Sequence, residues 1–257
     1  NLYRPGHADY TYDMKYGFRD YRGGGRSSAR ETLGRVAAGS IAKKLLARDK
    51  ITVTGFTRQI GHHIAKTLNF KEIEKNIVRC PDSKMAEDMV KAIMQARKNG
   101  DSLGGIVEVI ARGVPAGLGE PVFDRLDADL AKAVMSIPAV KGVEIGAGFQ
   151  TASMKGSECN DVFVMKNKKM TTKTNNAGGI LGGISNGMDI IVKLVVKPTS
   201  SINKAQDTIT QKGGNSKIRV EGRHDPCVAP RAVPIAEAMV ALTLIDHLLR
   251  NKNSQLS

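Results

Sequence analysis

Short runs rich in β-branched residues take turns with long segments of helical period along this 257-residue chain, and that alternation restricts the folds open to it. Ile51-Thr52-Val53-Thr54-Gly55-Phe56 alternates in polarity and predicts a strand. Gly105 to Ala111 and Val140 to Ile145 predict two more, and the strongly apolar Ile190 to Val196 predicts a buried one. Helical patterns separate them. Ser28 and Glu31 fit a capping box, and Ala29, Leu33, Val36, Ala37, Ile41 and Leu45 recur behind it, so a helix is expected from about Ser28 to Ala47. Lys84 to Lys98 predicts a second helix, with Met85, Met89, Ile93 and Ala96 inward and Gly100 just past its end. Phe123 to Ser136 predicts a third through Leu126, Leu130 and Val134. Pro234, taken as a first helical position, opens a fourth through Ala238, Leu242, Ile245 and Leu249. No repeat of fixed period and no clear linker breaks the pattern. One mixed α/β domain over residues 1–257 is expected.

The charge narrows the partners. Lys and Arg number 39 against 25 Asp and Glu, a net +14 whose field attracts anions such as nucleic acid, acidic lipid or phosphorylated metabolites. Composition does not choose among them. Apolar residues at 41% and charged residues at 25% exclude general disorder, and no run approaches the ~18 apolar residues that a membrane span needs. Cys80, Cys159 and Cys227 are isolated, with no CxxC pair, which makes a poor disulfide framework and a poor zinc site. A reducing cytosol follows as the expected compartment. The opening Asn1-Leu2-Tyr3-Arg4-Pro5-Gly6-His7 lacks an initiator Met and resembles neither a signal peptide nor a presequence, so the chain is expected to begin partway through a longer protein.

Four segments have the chemistry for a site. Gly23-Gly24-Gly25 precedes the expected Ser28 helix among Arg22, Arg26 and Arg30, a setting for a phosphate at a helix N-terminus or for a flexible turn with a serine cap. It is not a Walker A loop, since no GK[ST] follows, and Ser28 stands where G-x-G-x-x-G needs its last glycine. Asn175 to Gly187 is glycine-rich and leads into a strand rather than a helix, contrary to a Rossmann fingerprint; it suits backbone packed on a flat ligand, or a surface loop. Lys197-Pro198-Thr199-Ser200-Ser201 places a cation and three hydroxyls at a strand exit, either a phosphate-holding turn or an ordinary one. Arg223-His224-Asp225-Pro226-Cys227 sets a cation, an imidazole and a carboxylate side by side in a turn or extended loop. His7 is the other candidate, beside Gly6 and close to Asp9. His62 and His63 would face opposite ways on a strand, and His247, near the end of the last helix, is expected to meet the helix dipole.

Taken in order, these runs resemble one family, chorismate synthase. The resemblance rests on Arg4 to Tyr12, Arg22 to Thr32, Gly117-Leu118-Gly119-Glu120-Pro121-Val122-Phe123, Gly178 to Gly187, Lys197 to Ser201 and Gly222 to Cys227, and it covers essentially all 257 residues. The family's N-terminal Gly-Glu-Ser-His-Gly segment, with one of its two active-site histidines, is not in this sequence. The resemblance implies a β-α-β sandwich and a cytoplasmic lyase of aromatic amino acid biosynthesis. Its reaction, the last common step of the shikimate pathway, is the 1,4-anti elimination of phosphate from 5-enolpyruvylshikimate 3-phosphate (EPSP). It implies reduced FMN as cofactor, no metal, a homotetramer, a link to NADP through an external flavin reductant, and neither nucleic acid nor membrane as partner.

Residue by residue, the resemblance implies FMN contacts at Arg26, Ser27, Ser28, Gly182, Lys197, Pro198, Thr199, Ser200, Ser201 and Arg223. Pro138 and Ala139 align with a further flavin-contacting pair, but the family often has Asn where Pro138 stands, which restricts that contact to backbone. His7 corresponds to the histidine that protonates reduced flavin near N1, and Asp225 to the base that works through N5. Arg4, Arg22 and Arg30 would meet the phosphate or carboxylates of EPSP. A basic nucleic-acid-binding protein is the runner-up, since Tyr3, Tyr10, Tyr12, Tyr16 and Tyr21 interleave with cations at the start of the chain; only 4% aromatics and no RNP1 pattern speak against it. A truncated, non-catalytic flavin or phosphate binder is the third reading.

Overall fold

The computed structural model describes residues 2–22 and 28–254. Among them the helices are α1 (Asp9–Tyr16), α2 (Thr32–Arg48), α3 (Ser83–Lys98), α4 (Leu126–Met135), α5 (Gly156–Cys159) and α6 (Ala229–Ser254). The strands are β1 (Thr52–Ile60), β2 (His63–Ile64), β3 (Gly105–Arg112), β4 (Val140–Ile145), β5 (Phe163–Lys166), β6 (Lys169–Thr172), β7 (Ile180–Leu181), β8 (Ile184–Ser185), β9 (Ile190–Val196), β10 (Ala205–Ile209) and β11 (Asn215–Arg219). Strands β2-β1-β3-β9-β4 form one sheet in that order, and β5-β6, β7-β8 and β10-β11 are separate antiparallel hairpins. The mixture is the α/β class expected.

The chain divides into two compact units. The first comprises Asn1–Glu31, Thr57–Gly105 and Val196–Pro230; the second comprises Thr32–Phe56, Ile106–Val195 and Arg231–Ser257. In the second unit the core is aliphatic: Leu46, Val107, Val109, Leu126, Leu130, Val134, Val192, Leu194, Val240 and Leu244 are all buried. Helix α4 buries Leu126, Leu130 and Val134, the expected face. It starts three residues later than its apolar pattern because Glu120 and Asp124 exchange backbone hydrogen bonds in a tight loop, leaving Phe123 92% exposed. Strand β9 is buried at Ile190, Val192, Leu194 and Val196 while Val195 is exposed, so its apolar run covers one face fully rather than two.

Four other expectations are corrected in this unit. Helix α2 begins at Thr32 after a 3-10 turn over Ala29–Glu31 and buries Thr32, Gly39, Ala42 and Leu46, whereas Leu33 and Ile41 of the predicted stripe are exposed. Small residues win that face because α6 lies hard against it: a Cβ on Gly39 would stand 2.3 Å from Ala238 Cβ. Helix α6 starts at Ala229, so Pro234 lies inside it and Pro230 takes the first turn, where a missing N–H costs little. With a mean hydropathy of 1.6 over 18 residues, α6 is long and apolar enough to cross a membrane, contrary to the expectation that no segment is; half of that window is buried in the protein, as in a core helix. His247 is fully buried beside Leu244 and Leu248, with Nε2 3.0 Å from Asp129 Oδ2, instead of meeting the helix dipole at the surface.

In the first unit, α3 is capped by Asp82, whose Oδ1 accepts the Met85 N–H at 3.1 Å, and it closes on Asn99 with Gly100 at φ +67° behind it. Met89 and Ala96 are buried as expected, along with Ala86. The N-terminal segment holds the helix α1, which buries Asp9 and Asp13 instead of an apolar stripe. Hairpin β10-β11 pairs Ala205 with Arg219 through Ile209 with Asn215. Leu2 bridges to Thr210, Tyr3 N–H donates to Ile209 O at 3.2 Å and Thr208 Oγ1 donates to Tyr3 O, so the start of the described chain is laid along that hairpin.

Candidate active site

The site is built where three loops of the first unit meet the segment ahead of α1. Asp9, at the start of α1, is 4% exposed and takes five donors. Arg4 gives its backbone N–H (3.0 Å) and Nε (2.8 Å) to Oδ2 and a terminal nitrogen (2.7 Å) to Oδ1. Arg19 lies 3.2 Å from Oδ1, and His7 Nδ1 lies 3.0 Å from the same oxygen. Burial alone would raise the Asp9 carboxyl, but the Arg4 bonds outweigh it and hold it well below the usual carboxylate range. His7 moves down too: burial disfavours its charged form, Arg4 and Lys197 repel it, and Asp9 opposes them without cancelling them.

The loop after β9 grips the residue before His7. Lys197 Nζ donates to Gly6 O at 2.6 Å and to Ser200 Oγ at 3.0 Å, and Ser200 Oγ donates to the same carbonyl at 2.7 Å. Gly6 has φ +66°, a conformation for which a side chain is strained. The same loop reaches Asp225: Thr199 Oγ1 donates to Asp225 O at 2.8 Å, and Ser102 Oγ donates to Thr199 O at 2.7 Å. Leu103 N–H donates to Pro226 O at 2.7 Å, which fixes the third loop. A continuous run of bonds therefore leads from His7 through Gly6, Ser200 and Thr199 to Asp225. A hollow of about 280 Å³ opens between these loops, walled by Pro5, Pro198 and Ile202 and by the polar Asp101, Ser200 and Gln206. Gln206 Oε1 is buried in it without a hydrogen-bond partner among the described residues.

Arg4, His7, Lys197, Thr199, Ser200 and Asp225 are thus brought together. Pro198 lines the hollow, Ser201 is buried behind the loop at 8% exposure, and Arg223 is exposed three residues before Pro226. Ser28 Oγ accepts the Arg30 N–H at 3.3 Å, one residue short of the capping-box partner, and Arg30 is exposed. Arg22 is held at the surface by Asp20 Oδ1 at 3.0 Å. Gly23, Gly24, Gly25, Arg26 and Ser27 lie outside the described residues. Pro138, Ala139 and Gly182 belong to the second unit, where Ala139 has φ +71° at the α4–β4 turn. Gly182 and Gly183, at φ +60° and +83°, form the two-residue turn of the β7-β8 hairpin, so the glycine-rich stretch is a tight reversal. Asp101 and Ser102 also line the hollow, and their only mark in the sequence is a polar pair straight after the C′ glycine of α3. Among the described residues no group of three or more His, Cys, Asp or Glu gathers as for a metal ion.

Comparison with known proteins bears on the whole chain. The family model described as chorismate synthase matches residues 1–249. The chorismate synthase of Methanosarcina barkeri is 60% identical over 253 residues, covering 96% of this chain and 69% of that protein. That of Chloroflexus aggregans is 58% identical over 258 residues, covering all of this chain and 71% of its own length. A crystal structure of chorismate synthase superposes with a TM-score of 0.80 at 34% identity, over 95% of this chain and 70% of that one. Agreement of this depth from one end of the chain to the other leaves one assignment, and the chain belongs to the chorismate synthase family.

Proposed function

We infer that this chain catalyses the elimination of phosphate from EPSP to give chorismate, as a lyase of the shikimate pathway. The observation that carries the reading is the bonded run from His7 to the backbone of Asp225, with the cations Arg4 and Lys197 beside the imidazole, in a chain of this family. Reduced FMN is the cofactor we assign, and when bound it supplies electron density that makes loss of the weakly acidic C6 hydrogen feasible. The hollow suits such a guest: Lys197, bonded to Gly6 and Ser200 of its wall, answers the negative charge, Pro5, Pro198 and Ile202 offer apolar walls, and the unpartnered Gln206 Oε1 offers an acceptor. Lys197 to Ser201, with Ser28 and Arg223, would hold it; contacts at Arg26, Ser27, Pro138, Ala139 and Gly182 rest on the resemblance alone.

The chain's own groups divide the remaining work. His7 takes up and passes on a proton at Nε2, since Nδ1 is engaged by Asp9. Asp225 accepts the proton that leaves, with its backbone fixed by Thr199 so that the carboxylate has a defined approach. Arg4, and with it Arg22 and Arg30, would balance the phosphate and carboxylates of EPSP. We assign the protein to the cytoplasm as a homotetramer fed by an external flavin reductant, states that light scattering and reductant-dependence assays measure. Nucleic acid is not the partner this reading needs, because +14 is also what two multiply anionic small molecules call for.

An anaerobic assay tests the function directly. The protein with reduced FMN and EPSP is expected to release phosphate and form chorismate, with a transient change in flavin absorbance. Asp225→Asn is expected to lower turnover about 100-fold or more while flavin still binds, because the amide keeps the shape and loses the basic lone pair. No phosphate release from the wild-type protein would end the reading.

A further inference from the structure

We propose that Asp9 is the positioning residue for His7: it fixes the imidazole as the Nδ1–H tautomer and so leaves Nε2 as the nitrogen that works. The proposal rests on the elimination reading for its catalytic meaning and on geometry alone for the tautomer. A His ring nitrogen facing a carboxylate must donate if the carboxylate is ionised, and Asp9 is held ionised by Arg4 on both oxygens. His7 Nδ1 is 3.0 Å from Asp9 Oδ1, so the proton sits there. Among the described residues Nε2 has no hydrogen-bond partner, and the His7 side chain is 32% exposed. The charged groups that face the ring are Arg4 and Asp9 from its own segment and Lys197 from the loop after β9; Arg19 adds its charge through Asp9.

The hydrogen bonds around Asp9 also dictate what an amide would do in its place. Oδ2 accepts two N–H groups of Arg4, one of them a backbone N–H that cannot turn away, whereas the guanidinium donors on Oδ1, a terminal nitrogen of Arg4 and Arg19, belong to side chains that can. In Asp9→Asn the carbonyl oxygen is therefore expected to stay on the Arg4 backbone N–H, and the NH₂ group to take the position of Oδ1, opposite His7, displacing the two guanidinium contacts there. A donor now faces Nδ1, which has to accept, and the ring proton is driven to Nε2. The nitrogen left for chemistry is then a donor in the resting protein instead of an acceptor.

The test reads the tautomer first and turnover second. Two-bond ¹H–¹⁵N correlation spectra of the labelled, ligand-free protein separate Nδ1–H from Nε2–H rings, with His7 assigned among the five histidines by His7→Gln. The wild-type protein is expected to show His7 as Nδ1–H, and Asp9→Asn as Nε2–H. With reduced FMN and EPSP, Asp9→Asn is expected to lose about 100-fold in kcat, and the tautomer, which loosening of Arg4 alone would not move, separates the proton effect from a structural one. An Nε2–H ring in the wild-type protein overturns the proposal, and that measurement decides it even if the variant does not fold. A variant that changes tautomer but keeps its kcat overturns it, as does one that loses kcat with the tautomer unchanged. Failure of the elimination reading would look different: no turnover by the wild-type protein, whatever the state of His7.

Discussion

Gly6→Ala tests whether the grip of the loop after β9 on the chain ahead of His7 matters to catalysis. The methyl group meets two costs. At φ +66° an L-residue is strained by about 1–2 kcal/mol. The new Cβ would also lie 3.2 Å from Ser200 Oγ, so the hydroxyl must rotate off Gly6 O, where it now donates at 2.7 Å, and that bond is worth about 1 kcal/mol. Together they come to about 2–3 kcal/mol, less than the ~5–15 kcal/mol stability of ordinary proteins, so the variant is expected to fold. Its neighbour is His7, however, and a misplacement of ~1 Å in a catalytic group costs about 100-fold in rate. Urea unfolding gives the stability loss and anaerobic turnover gives kcat. Gly17→Ala is the control: Gly17 stands at φ +79° behind α1, and a Cβ there meets nothing within 4 Å. It should lose about 1–2 kcal/mol of stability and keep its kcat. Equal kcat losses in the two variants would refute the reasoning, since the effect would then be general softening and not displacement of His7.

Two predictions concern the scaffold. Asp82 accepts the backbone N–H groups of Met85, Lys66 and Thr67, and although burial alone would raise its carboxyl, those bonds bring it down to about 2. Asp82→Ala is expected to cost about 2–3 kcal/mol in urea unfolding, one helix cap and two further donors, and a loss under about 0.5 kcal/mol would contradict it. Because the folded carboxyl is the more acidic, its stabilisation is present above the unfolded value near 4 and fades as pH falls toward 2. Wild-type stability should drop by about 1–2 kcal/mol more than that of Asp82→Asn over that window, after allowing for solvent screening. Gly39→Ala would set its Cβ 2.3 Å from Ala238 Cβ and force α2 away from α6, a loss of about 1–3 kcal/mol against a helix-propensity gain of about 1 kcal/mol. A lower Tm, partly restored by adding Ala238→Gly, is expected; a higher Tm for the single variant would show that the helices separate freely.

What was legible in the sequence was whatever an aliphatic core enforces locally. The bounds of β4 and β9 follow from β-branched runs, and the buried face of α4 follows from Leu126, Leu130 and Val134, because burial of such side chains and backbone pairing favour the same register. The misreadings have the opposite cause. Helix α1 packs its inward side with Asp9 and Asp13, so no apolar period announces it, and α2 turns toward its neighbour the residues that are small instead of those that are apolar. Hairpin β10-β11 alternates between exposed and half-buried positions with little apolar content, which leaves the period of two without contrast.

The site divides along the same line. Its members lie in runs that a resemblance can match, but their grouping depends on pairs that no local period encodes, such as Ser200 with Gly6 across 194 positions or Thr199 with Asp225 across 26. Residues that act by holding others are the hardest to see. Asp9 lies two positions from His7 and could have been taken for any surface acid. Only its burial, and the Arg4 and Arg19 groups turned onto it, make it the point on which the histidine is set. A carboxylate withdrawn from water in this way is stable only while its donors stay in place. The same donors that hold Asp9 ionised therefore also decide on which nitrogen His7 carries its proton.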